Sequence, residues 1–427
     1  MIAECSPRST ATERAVGSLL VFSDDWGRHA SSCQHLVRNL LDRYPVLWVN
    51  TIGTRAPHFD LQTMQRVTEK LRQWGSSRLS NGSNQKQTEA AAPRVQTHDN
   101  LQAVNPKMWP WFGSRRDRKL NRWLLSKQLI SLLSELPQPV VGLTTLPITA
   151  DLPDVLPVDR WVYYCVDDFS QWPGLDGDTL RTMDRAMIQR ADSLVAVSET
   201  LQKMIADEGR SSSLLTHGVD VDFWNAGQRV AGAGLSGTKE APRFRATALQ
   251  PRPPLNPALP NIVFWGVIDR RMDSPSLLQL SKDMTSGTIT LIGPQQDPDP
   301  AILALPNVKT LPAQPLSALP AIALQADVLV MPYADLPVTR AMQPLKLKEY
   351  LATGKPVVVN RLPSTDAWSD CLDVAKTPEQ FSRLVRERIS TGIPASQASA
   401  RNRLQQESWN SKAAQLELVL KGDKSWT

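Results

Sequence analysis

The sequence predicts an α/β protein made of two doubly wound parallel sheets that face each other across a cleft. Three observations carry this. Short apolar strand candidates alternate with helical periods along most of the chain, the pattern of parallel strands with helices on both faces. The 427 residues exceed what one ordinary core organises, so two domains are expected. A Pro-, Gly- and Ala-rich stretch from Gly227 to Pro260 interrupts the alternation, and a second alternating set follows it.

In the first set, Ser18 to Ser23 is an apolar strand, followed by the turn Asp24-Asp25-Trp26-Gly27-Arg28-His29 and a helical period from Ser31 to Leu41. Val46 to Asn50 is the next strand. Ser76 to Pro93 is polar and reads as a disordered insertion. Leu120 to Leu136 is helical, Pro139 to Leu143 and Arg160 to Val166 are strands, and Leu180 to Ala191 is helical. Ser193 to Val197 is a strand closed by Ser198, and Thr200 to Glu208 a further helix. The second set runs through Ile262 to Trp265, a helix from Ser274, then Thr288 to Ile292, Asn307 to Leu311 and Asp327 to Met331. A helix at Pro344, the strand Val357 to Asn360 and one or two amphipathic helices in Ala398 to Leu420 complete it. The expected division is a loose leader at 1–16, a first domain at 17–226, a linker at 227–260, a second domain at 261–405, and a last helix at 406–427 bracing the first domain. In such sheets ligands bind at the carboxyl ends of the strands.

Bulk composition narrows the class. Hydrophobic content of 41% and charged content of 21% are those of a soluble globular protein. A net charge of +6 permits anionic partners such as nucleotide phosphates or lipid headgroups without demanding nucleic acid. Cys5, Cys33, Cys165 and Cys371 lie far apart, with no metal-ligand spacing, and reduced cytosolic thiols account for them. No apolar run reaches the roughly 18 residues of a membrane span, and Met1 to Val16 has no signal-peptide core. A cytoplasmic protein is expected, with peripheral contact at the inner face of the membrane as an option.

The most informative stretch runs from Gln343 to Val359. Pro344 suits a first helical position, Gly354 suits a left-handed stop, and Pro356 blocks continuation into the strand Val357-Val358-Val359. A helix start gathers outward N–H groups and positive dipole, so it suits an anion. Lys346 adds a formal charge in the first turn. Lys346, Glu349 and Tyr350 share one face, a cation for phosphate and a carboxylate deeper in for sugar hydroxyls. A plain surface helix with a Lys–Glu pair is the alternative.

Four segments together resemble a known family. They are Tyr164 to Phe169 with Ala191 to Ser198; His217-Gly218-Val219-Asp220 with Phe223; Gly266 to Arg271 with Leu291 to Pro294; and Ala326 to Tyr333 leading into the Pro344 helix. Their order and spacing are similar to those of the two-Rossmann-domain (GT-B) glycosyltransferases, close to family 4 of the nucleotide-sugar-dependent enzymes. The resemblance implies two Rossmann-like domains, a nucleoside-diphosphate sugar held by the second, an acceptor held by the first, and no bound metal or cofactor. Glu349 aligns with the second carboxylate of the family's E-x7-E pattern, the ribose contact, and Ala341 stands where the first would fall. Gly266, Pro344 and Leu345 belong to the donor-site segments, and Arg270 and Arg271 occupy the loop where the family places pyrophosphate-binding cations.

Departure of a diphosphate needs its charge neutralised, which arginine forks suit. Asp269 and Asp273 could instead hold Arg270 and Arg271 in a solvated loop. Asp167 and Asp168 end a buried strand and could accept the acceptor's proton; two adjacent acids can raise one pKa. Helix capping and an Asp-Asp metal site are the alternatives there. Asp25, Trp26 and His29 follow the first strand, where donor and acceptor meet, with His29 a candidate acid–base group. His217, in place of the family's asparagine, braces the hinge turn or touches substrate. Lys107-Met108-Trp109-Pro110-Trp111-Phe112, running into Arg115, Arg116, Arg118, Lys119 and Arg122, suits a membrane interface or lipid-linked acceptor, or an ordinary loop feeding a basic helix.

The expected function is sugar transfer from a nucleoside-diphosphate sugar to a hydroxyl of a saccharide or lipid-linked acceptor, in surface polysaccharide or glycolipid synthesis, with no nucleic-acid partner. The resemblance favours retention of configuration, while Ala341 and the Asp pair keep inversion open. A nucleotide-sugar epimerase of related fold and a non-catalytic binding module are the rivals. A nicotinamide dehydrogenase is disfavoured, because no G-x-G-x-x-G follows the first strand.

Overall fold

The structure, a computed structural model, describes residues 14–28, 31–50, 98–225, 255–256 and 258–423. His29, the polar stretch Ser76 to Pro93 and most of the expected leader and linker lie outside them.

The first sheet contains β1 (Ser18–Ser23), β2 (Val46–Asn50), β3 (Leu101–Val104), β4 (Val140–Thr144), β5 (Arg160–Cys165), β6 (Ser193–Ala196) and β7 (Ser213–Leu214). The order is β3-β2-β1-β4-β5-β6-β7, all parallel. All six residues of β1 are buried, as a continuous apolar run requires when helices cover both faces. Its helices are α1 (Ser32–Arg38), α2 (Arg115–Ser134), α3 (Gly177–Arg190) and α4 (Glu199–Asp207). Helix α2 starts at Arg115 rather than at Leu120, because Ser114 and Asp117 form a reciprocal capping box.

The second half contains β8 (Asn261–Trp265), β9 (Ile268–Asp269), α5 (Ser274–Asp283), β10 (Thr288–Ile292), β11 (Gln295–Gln296), α6 (Pro300–Leu303), β12 (Val308–Leu311), α7 (Leu319–Gln325) and β13 (Val328–Met331). There follow α8 (Pro337–Ala341), α9 (Leu345–Ala352), β14 (Val357–Asn360), α10 (Pro363–Asp366), β15 (Asp373–Ala375), α11 (Pro378–Thr391), α12 (Ala395–Ala400) and α13 (Trp409–Leu420). The main sheet has the parallel order β12-β10-β8-β13-β14-β15, and β9 and β11 form a separate ribbon. In both main sheets the chain winds outward, then jumps back beside its first strand. The reversals fall between β1 and β4 and between β8 and β13, where crevices open at the carboxyl ends.

Each sheet has its own apolar cluster. Helix α13 returns to the first: Ala413, Leu416, Val419 and Leu420 join its core, and Tyr44 donates to Glu417 Oε1 at 2.6 Å. The described cysteines Cys33, Cys165 and Cys371 are buried and unpaired. Among the described residues no helix is long and apolar enough to cross a membrane.

Candidate active site

The second sheet's crevice is lined by the turns after β8 and β13 and by the start of α9. Gly266 follows β8 with φ +143°, and a Cβ there would run into the Lys346 ammonium. Only glycine combines that backbone with so close an approach. Pro344 is the N-cap of α9 rather than its first helical residue, and no side chain caps the helix. Its leading N–H groups therefore keep their capacity for an anion. Lys346 Nζ donates to the Tyr333 hydroxyl and lies 4.5 Å from the Phe264 ring centroid, so it is held at the crevice. Leu345, the first helical residue, is half-buried beside it.

Arg271 reaches the same crevice. An antiparallel bridge pairs Met272 with Tyr333, and Ala334 N donates to the Arg271 carbonyl at 2.8 Å, tying the turn after β9 to the turn after β13. The buried guanidinium pairs with Asp269 at 2.7 Å and lies 4.5 Å from the Trp172 ring centroid, across the cleft. Burial works against its charge, and the bond to Asp269 with the charges of Tyr333, Asp269 and Asp167 outweighs that, holding the pKa above its ordinary value.

Arg270 does not join it. Its side chain turns outward to an ion pair with Asp297 at 3.1 Å and is more than half exposed. The loop's two arginines thus divide: Arg270 pairs in solvent with Asp297 rather than with Asp269 or Asp273, and Arg271 is buried on Asp269 and faces Trp172.

Glu349 sits one turn deeper on α9. Burial raises its pKa to about 7, against the Trp265 indole N–H at 3.4 Å and the charge of Lys346. Trp265 is fixed by its stack on Trp224, with centroids 5.6 Å apart, and by its amide, which donates to the Tyr350 hydroxyl at 3.0 Å.

On the opposite wall, Asp167 and Asp168 leave β5. Asp168 is a cap: Oδ1 accepts from Ser170 N at 3.0 Å and Ser170 Oγ at 2.6 Å, starting a short 3-10 turn at Phe169–Gln171. That engagement occupies one of its two carboxylate oxygens. Asp167 differs. Burial raises its pKa to about 7, Arg271 opposes the rise, and Asp168 adds to it. Trp172, from the same loop, has an enclosed indole N–H without an acceptor among the described residues.

The turn after β1 is more structural than the sequence suggested. Trp26 is buried edge-on to Trp48, with centroids 4.6 Å apart, and its amide donates to Asn50 Oδ1 at 2.9 Å. Asp25 pairs with Arg28 at 3.1 Å on an exposed edge. Neither makes a described contact with the Lys346–Arg271 group. Asp24 instead organises the turn, accepting from Ser31 Oγ at 2.7 Å and Gln34 Nε2 at 2.5 Å.

His217, expected at the hinge turn, is buried. Its carbonyl accepts from the Lys348 ammonium, its ring lies 6.4 Å from Trp409, and burial with the charge of Lys348 lowers its pKa to about 3. Lys348 also pairs with Glu407, which Lys412 meets from the other side at 2.8 Å. Ala341 is buried in the first sheet's core cluster, and its carbonyl accepts from Ser198 Oγ at 2.6 Å. A glutamate there would bury its carboxylate against α4.

Sequence reasoning missed Trp172, Tyr333, Trp265 and Asp269 as site residues. Trp172 and Trp265 carry no spacing signal; Tyr333 and Asp269 lie in segments that carry the family resemblance, without a role of their own there, and Asp269 was otherwise read as a solvated partner of the loop's arginines. Helix α11 was missed although Thr377 caps it and Pro378 opens it. Among the described residues no group of three or more His, Cys, Asp or Glu could hold a metal ion.

Solved structures share this architecture. Sucrose-phosphate synthase from Thermosynechococcus elongatus superposes with a TM-score of 0.65 at 11% identity, covering 96% of this chain and 100% of that one. HepE of Anabaena, in complex with UDP and glucose, gives 0.60 at 12% identity over 94% and 99%. A trehalose-6-phosphate structure from E. coli, bound with UDP-2-fluoro glucose, gives 0.61 at 13% identity over 95% and 99%.

The chain has the GT-B fold.

At these identities the likeness concerns the fold. No protein-family model matches the chain. TuaH of Bacillus subtilis (strain 168), whose name assigns it provisionally as a glycosyltransferase of teichuronic acid biosynthesis, is 30% identical over 195 residues. The match takes in 44% of each chain, so the chain spans under half the length of the curated relative it matches.

Proposed function

We propose that this GT-B protein is a glycosyltransferase that moves a sugar from a nucleoside-diphosphate sugar to a hydroxyl of a saccharide or lipid-linked acceptor, in surface polysaccharide or glycolipid synthesis at the cytoplasmic face of a membrane. The observation that carries it is the convergence of Lys346, Arg271 and the uncapped start of α9 on one crevice. Three sources of positive potential there suit a diphosphate better than any neutral ligand.

In this reading Lys346 and Arg271 neutralise the departing diphosphate, and Glu349 accepts hydrogen bonds from the ribose. Gly266 lets the phosphates approach the backbone. Asp167, on the acceptor wall, takes the proton of the attacking hydroxyl, a task that a pKa of about 7 suits. Trp172 offers its unused N–H to a substrate oxygen. His217 serves the hinge. The cleft excludes water when both substrates are held. No cofactor or metal takes part, so activity should survive a chelator. The family resemblance supports retention, and Asp167 gives inversion a residue; the anomer of the product, read by NMR, decides between them.

A thermal-shift screen against nucleoside-diphosphate sugars, followed by product analysis with acceptors, tests the proposal. Stabilisation by one donor with transfer to an acceptor is expected. Conversion of donor alone into an epimer would replace it with the epimerase reading. Binding without turnover, on acceptor or water, would leave a binding module.

A further inference from the structure

The segment Lys107 to Phe112 drew notice as an aromatic, basic stretch, but it is not the exposed face. Trp109 donates its amide to Asn121 Oδ1 at 2.7 Å and its indole N–H to Asp117 Oδ1 at 2.8 Å, and Met108 and Phe112 are buried. The unpartnered surface lies on the helix that follows. Asn121, Leu125, Leu129 and Leu133 turn α2 onto the core. On the opposite side Leu120, Trp123 and Ile130 are 38%, 55% and 45% exposed. Only three other large apolar residues are so exposed among the described residues, and none of them lies on this helix. Positions 116, 120, 123, 127 and 130 follow the 3–4 spacing of one helical stripe, so Arg116 and Lys127 lie in one row with the three apolar side chains. Lys127 Nζ lies 5.2 Å from the Trp123 centroid. Arg115, Lys119 and Arg122 flank the stripe, and no ion pair within the described residues holds them. The helix's single acid, Asp117, is spent on the cap.

We propose that this stripe of α2 docks on an anionic lipid bilayer. The inference deepens the peripheral membrane contact in the reading above and rests on that part of it. Charge complementarity selects the occupant. A row of apolar side chains with a tryptophan enters the headgroup region, while the cations within the stripe and along one flank of it meet anionic lipid. The cation-rich first turns of α2 lie at the carboxyl edge of the sheet, because the helix follows β3 in a parallel arrangement. Docking would therefore hold the cleft close to a lipid-linked acceptor.

The test is co-sedimentation of the full chain with phosphatidylglycerol vesicles and with phosphatidylcholine vesicles, at low and high salt. Wild type should pellet with the anionic vesicles and be released by salt. Lys119→Glu with Arg122→Glu should weaken binding ~tenfold or more, since each basic residue near such a surface contributes on the order of a fivefold in affinity. Trp123→Ser with Leu120→Ser should also release the protein. These side chains are exposed, so unchanged thermal unfolding is expected and is checked first. Wild type that fails to pellet, variants that pellet as well as wild type, or a dimer that Trp123→Ser dissolves would overturn the proposal. Donor-induced thermal shift is read on the same samples. Vesicle binding without donor binding would sink the transferase reading and leave the docking surface standing.

Discussion

The Arg271 guanidinium lies 4.5 Å from the ring centroid of Trp172, so a cation from the second sheet rests on an aromatic from the first. Asp269 holds its fork from behind and Asp167 opposes it in charge. This one side chain links the proposed donor and acceptor walls. Ser198, donating to the Ala341 carbonyl, supplies a second link.

Arg271→Lys keeps the charge but loses the planar fork and the stack. Charge-assisted hydrogen bonds contribute about 1.5–3 kcal/mol each, so donor affinity should fall ~10- to 100-fold. Calorimetry with the preferred nucleotide sugar checks it. Arg270→Lys, changed on the solvent side, should leave affinity as it was; an equal loss in both variants would remove Arg271 from the phosphate site.

Asp167→Asn should depress turnover far more than donor affinity. In the wild type the rate should rise with pH through about 7, where the carboxyl becomes a base, and the variant should lose that limb. Stability runs the other way. A folded pKa raised from 3.8 to about 7 favours the neutral acid, so the native state loses stability as pH rises between those values. Removing the acid should raise Tm more at pH 8 than at pH 4. A variant with wild-type turnover and profile would end the base assignment. Asp168→Asn should act on stability through the lost cap and, by removing the neighbouring charge that helps to raise the Asp167 pKa, should shift the limb to lower pH without abolishing it.

Gly266→Ala places a methyl group where the Lys346 ammonium lies, on a backbone with φ +143°. Strain of this kind costs about 1–3 kcal/mol. Both Tm and donor affinity should fall, and a crystal of the variant should show Lys346 displaced. Unaltered affinity would mean that Lys346 does not contact the diphosphate.

Near His217, Glu407 accepts from both Lys348 and Lys412. Glu407→Gln leaves two enclosed ammonium groups facing each other, whereas Lys348→Met leaves Glu407 paired with Lys412. Breaking a buried pair costs about 3–5 kcal/mol, and denaturant unfolding should place Glu407→Gln nearer that figure than Lys348→Met. Equal losses would show that Lys412 contributes nothing.

His35 stacks on Trp409 with centroids 4.5 Å apart, and burial then the charge of Arg38 lower its pKa to about 4. Below pH 6.5 the unfolded chain takes up this proton before the native one does, so stability falls from there toward pH 4. His35→Phe keeps a ring on Trp409 and should flatten that acid limb in thermal melts. An unchanged limb would assign it to other groups, His217 foremost.

The sequence by itself determined the layered architecture. The strands β1, β2, β10 and β14 stand where apolar runs bounded by turn residues placed them, since parallel strands buried on both faces must be apolar throughout. It also determined the glycine after β8 and the cation on α9, because close approach and helix polarity are local properties. Edge strands such as β3 and β15 were illegible: they are three or four residues long and only partly buried, so their patterns carry little signal. What only the tertiary structure decided is which neighbours in sequence part company in space. Arg270 turns to Asp297 and Arg271 to Trp172; Asp168 caps a turn and Asp167 meets a cation; Trp109 is bonded into its loop and Trp123 faces solvent. Arg271 and Asp167 are decided by groups far apart in the chain, which only packing of the two sheets brings within range, whereas the Asp168 cap and the Trp109 bonds are local geometry that composition and periodicity do not specify.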